Sequence, residues 1–289
     1  MSNYLEPLLL PEKKFLGHIR TLTDKEIIKV KKTIIMIISA VMFASIIVAA
    51  GCGKGQKEEK KELSTFDKIK KAGEIKIGTN PDYPPFESVD DKGNIVGFDI
   101  DLVNAIAKEL GVKANFVTMS FDSIITAVKN GQVDIGASSF SVNEERKMSI
   151  DFSIPYISTA QVILVKKDFD IKSLDDLNGL IVAVQMGTTC VEAAKGIKGV
   201  EVKAVDDNNV STMMLKNGSV SAVVMDIAIA NELASKHDFK VFEQALTSED
   251  TAIVIKKGSS ELKAAIDKAI KKFKADGTFE DLKKKWDIK

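Results

Sequence analysis

The 289-residue chain is long enough for two moderate domains, each with its own core. Its 41 basic and 41 acidic residues cancel and no basic run is interleaved with aromatics, which argues against a nucleic-acid partner. Two histidines (His18, His237) and two cysteines (Cys52, Cys190) are too dispersed for ligand spacing, so no metal site or cofactor is expected.

In chain order, residues 1–28 are mixed, with Pro7, Pro11 and no clear period. They remain unassigned, and a start at Val30 would leave the adjoining apolar segment close to the N-terminus. Lys29, Lys31 and Lys32 form a basic n-region, Thr33 to Ala50 is almost wholly apolar, and Ala49-Ala50-Gly51 precede Cys52. Segment 29–51 therefore reads as an export signal. It resembles a bacterial lipoprotein signal, in which the cysteine (Cys52) is lipidated and becomes the N-terminus. Ala49 stands where that family prefers Leu or another branched residue. An uncleaved membrane anchor is the other reading, since the apolar run nearly suffices to span. Residues 52–62, rich in Gly, Lys and Glu, read as a flexible tether. Either way the remainder faces outward, and beyond residue 51 it carries 34 basic and 37 acidic residues.

From there strands and helices alternate. "EIKIGTN" predicts a strand. "FDIDLVNAIAKELG" predicts a helix with Leu102, Val103, Ile106, Ala107 and Leu110 on one face, Asp99 as N-cap and Gly111 just past its end. "FDSIITAVKNG" predicts a second amphipathic helix stopping at Gly131, and "QVDIGAS" a strand. "GLIVAVQ", "VEVKAV" and "VSAVVMD" predict further strands, with helices around 191–195, 209–216 and 228–236. Such alternation means parallel sheets and an α/β class.

A weak internal repeat organises these elements. "AVKNGQVDIGASS" (127–139) matches "MLKNGSVSAVVMD" (214–226), which makes Ser139 and Asp226 counterparts at the ends of corresponding strands in two lobes. Ligands of open parallel sheets bind beyond the carboxyl ends of strands, so two such lobes facing each other enclose a cleft. Two extended runs, "YISTAQVILVKK" and "EDTAIVIKK", read as a two-strand hinge between the lobes. The lobes are expected at 63–158 with 252–289, and at 159–251. At the end of the first lobe's strand, "DIGASSFSVNEERK" turns from apolar to three serines and one arginine, Arg146.

From about Leu63 to Ile288 the chain resembles the extracellular solute-binding proteins of family 3, the polar amino-acid-binding components of ABC importers. The resemblance lies in "IGTNPDYPPFES", "GFDIDLVNAIAKELG", "FDSIITAVKNGQVDI", "SSFSVNEERKMSIDFSIPY", "SLDDLNGLIVAVQMGTT", "AVVMD" and "ADGTFEDLKKKW". It implies a two-lobed periplasmic-binding-protein-like fold (type II) and a monomer that binds a free amino acid and serves permease subunits.

It also implies roles for residues. Arg146 would clamp the α-carboxylate in paired charged hydrogen bonds, helped by the backbone N–H groups of Ser141 and Thr189. Asp226 would pair with the α-ammonium, aided by the Ser139 carbonyl, with Ser138 and Thr188 alongside. Tyr83 and Phe121 would wall the side chain, while Phe86 is read as core. Cys190 is read as an inert small hydrophobe and His237 as a surface residue. The sequence departs from the family at Asn143, where a threonine is usual, and at Asn80, where members binding cationic side chains often carry aspartate. Gln185 and Met225 lie where specificity is usually set. These features lead to an expected neutral polar ligand, such as glutamine or cystine. Rival readings are a dehydratase-like cleft enzyme, for which the motifs offer no histidine or nucleophile–base pair, and an amino-acid sensor module.

Overall fold

The structure is a computed structural model and describes residues 63–288. The leader, Cys52 and the tether lie outside them. Helix α1 (Thr65–Ala72) leads to β1 (Glu74–Thr79), the short pair β2 (Ser88–Val89) and β3 (Ile95–Val96), and α2 (Phe98–Glu109). Next come β4 (Lys113–Thr118), α3 (Phe121–Asn130), β5 (Ile135–Gly136), α4 (Glu144–Ser149) and β6 (Ile150–Phe152). The long β7 (Ile157–Lys166) opens a second set: β8 (Ile181–Gln185), α5 (Cys190–Lys195), β9 (Glu201–Val205), α6 (Asn208–Asn217), β10 (Ala222–Asp226) and α7 (Ile227–Lys236). Strands β11 (Phe239–Thr251) and β12 (Val254–Lys256) bring the chain back, and α8 (Ser260–Asp276) and α9 (Thr278–Lys285) complete it.

Two five-stranded sheets result, ordered β4-β1-β5-β12-β6 and β9-β8-β10-β7-β11. They correspond strand for strand. In the first, β1 runs parallel to β4 and β5, and β12 is antiparallel to β5. In the second, β8 runs parallel to β9 and β10, and β7 is antiparallel to β10. Strands β5 and β10 are thus counterparts, as the repeat implies. Each comes after a helix ending in Lys-Asn-Gly, whose glycine takes the left-handed conformation that stops the helix (φ 71° at Gly131, 79° at Gly218).

The sheets are linked by paired strands. Residues 157–161 of β7 pair antiparallel with residues 247–251 of β11, and Thr251 Oγ1 donates to the Ile157 carbonyl at 3.1 Å. Two extended segments paired in this way give a narrow connection of the kind that absorbs lobe rotation.

Burial explains why these runs are strands. Along β7, Val162 and Leu164 enter one apolar cluster with Val223 and Met225, while Ile163 and Val165 enter another with Val182, Val184 and Val224. Period-two alternation thus feeds cores on both faces of the second sheet. In the first set, Leu102, Val103, Ile106 and Ala107 of α2 and Leu110 just past its end are all buried, packed with Ile77, Ile255, Ile266 and Phe279. Each large aliphatic side chain among them contributes about 2 kcal/mol of burial. The closing helix pair returns to this core, and Trp286 Nε1 donates to Asp101 at 2.7 Å.

Asp99 differs from its expected role. The N-cap of α2 is Gly97, at φ 142°, where a Cβ would fall 1.9 Å from the Phe86 carbonyl oxygen. With the cap position taken by a residue that must be glycine, Asp99 lies inside the first turn, buried, with its carboxylate turned into the protein. Among the described residues no helix is long and apolar enough to cross a membrane.

Candidate functional site

The carboxyl ends of the counterpart strands converge on one cleft. From the first sheet come the loops after β1 and β5, and from the second those after β8 and β10. The cavity between them, including the part open to solvent, has about 430 Å³ of space. Tyr83, Phe121, Ser138, Ser139, Ser141, Arg146, Gln185, Thr188, Thr189 and Asp226 all line it. Asn80 does not. It sits behind the wall, its backbone N–H donating to Ser138 Oγ at 3.2 Å.

The serine loop is held from beneath. Ser139 adopts φ 52°, an uncommon conformation for a residue with a side chain. Its N–H donates to Asp99 Oδ2 at 2.8 Å, and Tyr156 Oη donates to the same carboxylate at 2.7 Å. Ser138 Oγ donates to buried Glu87 at 2.9 Å. Burial raises the pKa of Glu87 well above the carboxylate range and raises that of Asp99 as well, and the charge of Asp99 adds to the effect at Glu87. Two acids this close and this dry disfavour double ionisation.

Arg146 is set by α4. Asn143, the residue where the family prefers threonine, caps that helix by accepting the Arg146 N–H at 2.8 Å. The guanidinium donates to the Ser141 carbonyl at 2.6 Å and to the Gly187 carbonyl of the opposite sheet at 2.9 Å. It also lies 5.7 Å and 5.4 Å from the ring centroids of Phe121 and Phe140. Burial pulls its pKa down and Glu249 opposes this, but a guanidinium remains charged. These bonds leave further guanidinium N–H groups to serve an anion.

Asp226 ends β10 on the other side. Its N–H donates to Tyr83 Oη at 2.9 Å, a bond that crosses the cleft. Burial raises the Asp226 pKa to about 7, Glu249 adds to this, and the Tyr83 hydroxyl and Arg146 oppose it. A buried carboxylate so placed gains from a nearby cation.

Three lining residues, Asp82, Gln161 and Asn208, were given no role by the sequence. Asp82 accepts from Asn208 N at 2.8 Å and from Gln185 Nε2 at 3.0 Å, and burial raises its pKa to about 6. Asn208 Nδ2 donates to Gln185 Oε1 at 2.8 Å. Gln161 donates to Thr189 Oγ1 at 2.6 Å, while its own Oε1 is buried without a hydrogen-bond partner, on a residue that lines the cleft. Thr189 Oγ1 donates to Glu249 at 2.7 Å. Of these, only Asp82 had a legible signal, an acid within "TNPDYPP". Gln161 and Asn208 look like ordinary strand and cap residues. Among the described residues no three His, Cys, Asp or Glu are placed to hold a metal.

Among known proteins, residues 75–288 match the description of bacterial extracellular solute-binding proteins, family 3. The L-cystine-binding protein TcyJ of Escherichia coli strain K12 is 31% identical over 226 residues, covering 76% of this chain and 85% of that protein. The arginine-binding extracellular protein ArtP of Bacillus subtilis strain 168 is 32% identical over 262 residues, covering 89% and 98%. The crystal structure of the ancestral amino acid-binding protein AncCDT-1, a precursor of cyclohexadienyl dehydratase, is similar at a TM-score of 0.74 and 40% identity, covering 77% of this chain and 99% of that one. These relatives are binding proteins, and the fold is the two-lobed one expected from the sequence. This chain belongs to the bacterial extracellular solute-binding proteins, family 3.

Proposed function

We propose that this protein is the binding component of an ABC importer, capturing a free amino acid in its closing cleft and delivering it to a membrane permease. One observation carries the reading. A buried cation, Arg146, and a buried anion, Asp226, stand on opposite lobes and line the same cavity. An α-amino acid presents a carboxylate and an ammonium on neighbouring atoms, and it satisfies both groups at once only when the lobes are together. The spare guanidinium donors and the N–H groups of Ser141 and Thr189 take the carboxylate. Asp226, the Ser139 carbonyl and the unpartnered Gln161 Oε1 take the ammonium. Tyr83 and Phe121 wall the side chain, with Ser138 and Thr188 beside them.

The lobes comprise 63–158 with 252–289, and 159–251, rotating about the β7–β11 pair. Cys52 carries the lipid that anchors the protein outside the membrane, and residues 52–62 tether it. The chain acts as a monomer, without a cofactor. Binding rather than catalysis fits the lining groups, because the thiol among them, Cys190, has its pKa raised well above the usual thiol value by burial and is a poor nucleophile. A thermal-shift screen against the twenty amino acids plus cystine and ornithine tests the reading. A ligand that binds only the folded state raises the melting temperature by mass action, and a flat response to every amino acid would contradict it.

A further inference from the structure

The lining residues include one cation and three carboxylates: Arg146 against Asp82, Glu87 and Asp226. The α-carboxylate and α-ammonium of a bound amino acid match Arg146 and Asp226. Glu87 is held toward its protonated form by burial and by Asp99. Asp82 is left over. It is 8% exposed, and the groups that face it are amides or acids: Gln185 at the end of β8, Asn208 at the start of α6, Asn80 from its own loop, and the carboxyl groups of Asp207 and Glu87. No lysine or arginine pairs with it among the described residues.

Its hydrogen bonding is lopsided. Oδ2 accepts two good bonds, while Oδ1 receives Asn208 Nδ2 at a long 3.4 Å. Gln185 Oε1, which accepts from Asn208 Nδ2, adds a second oxygen acceptor to the same wall. The neighbouring wall is apolar: Tyr83, Phe121, Cys190, Val224 and Met225. An aliphatic stem ending in a nitrogen cation fits that sequence of surfaces. A buried carboxylate without a cation is expensive, and a positively charged ligand group relieves it where a neutral one does not.

We infer that Asp82 is the specificity-determining residue of this cleft, accepting the cationic nitrogen of a basic amino-acid side chain. The expectation of a neutral ligand rests on Asn80, but Asn80 stands behind the wall and the acid two residues on lines the cavity. The inference rests on the amino-acid-binding reading above and deepens it.

Calorimetry with pairs of ligands tests it on the full exported protein. Arginine and citrulline share shape and differ in charge. Wild type is expected to bind arginine or lysine at least tenfold more tightly than citrulline, glutamine or cystine at pH 7.5. Asp82→Asn, nearly isosteric, is expected to weaken the cationic ligand at least tenfold more than it weakens glutamine or citrulline. Binding of citrulline, glutamine or cystine as tightly as arginine and lysine by wild type overturns the inference alone and needs no variant. So does an Asp82→Asn that weakens every amino acid equally, which would make Asp82 a closing contact only. A wild type that binds no amino acid overturns the parent reading and this one together.

Discussion

Asp99 holds Ser139 in its left-handed conformation, accepting the Ser139 N–H at 2.8 Å while Tyr156 Oη donates to the same carboxylate at 2.7 Å. The serine loop is therefore shaped by a residue of α2, forty positions earlier, that does not line the cavity.

Removing that support has a predictable outcome. Asp99→Ala leaves the Ser139 N–H buried without a partner and takes one partner from the Tyr156 hydroxyl, and the first loss alone costs about 1–3 kcal/mol. Chemical denaturation reads this as a lower midpoint. Ligand affinity falls too, because Ser139 relaxes from φ 52°. A variant as stable as wild type would show that the loop needs no such anchor.

Arg146→Ala is expected to abolish amino-acid binding while the fold survives. A carboxylate left without its charged partner in a closed cleft loses roughly 2–5 kcal/mol. Arg146→Lys should also bind poorly, since an ammonium cannot reproduce a planar fork reaching both Ser141 and Gly187. Affinity within threefold of wild type for the alanine variant would place Arg146 outside the site.

The acids set a pH trend in the ligand-free protein. Folding raises Asp226 from 3.8 to about 7 and Asp82 from 3.8 to about 6. A raised folded-state pKa contributes stability that is fully present below the unfolded value and is lost as pH rises through the folded one. The melting temperature should therefore fall between pH 5 and pH 8, and Asp226→Asn should flatten that slope. A melting temperature that rises across this window would contradict the assignment.

Gly187 tests closure. It sits at φ 78° against Asp122 of the opposite lobe, where an added Cβ would meet the Asp122 Cβ at 2.8 Å and its Cα at 3.0 Å. Gly187→Ala should weaken binding at least tenfold, in addition to the roughly 1 kcal/mol by which a side chain at φ 78° destabilises open and closed forms alike. Unchanged affinity would mean that the lobes do not approach this closely when loaded.

Much of this was legible in the sequence because it is local. The Lys-Asn-Gly stops at Gly131 and Gly218 mark counterpart strands, and the alternation in β7 and the continuous apolar run in β8 mark the sheets. Arg146, Ser139, Asp226 and their neighbours line the cleft because they sit at strand ends marked by that repeat or in the loops beside them. What is not legible is long-range. Asp99 looks like a cap because its partners, Ser139 and Tyr156, lie 40 and 57 residues away. The charge of Asp82 escapes notice because Asn80 occupies the more familiar position. Only the folded loop shows which of the two faces inward. The Gln161 acceptor lies in an apolar strand run and carries no local signal.

The central claim is that an amino acid is captured by lobes closing on Arg146 and Asp226. Small-angle scattering of the exported protein with and without a saturating amino acid found by the screen tests it most directly. The radius of gyration should fall on saturation. It should fall less for Asp226→Asn at the same subsaturating concentration, because a ligand shifts the hinge only through its differential affinity for the two states. A wild-type radius of gyration unchanged by saturating ligand would contradict the closing cleft, even with binding demonstrated by calorimetry.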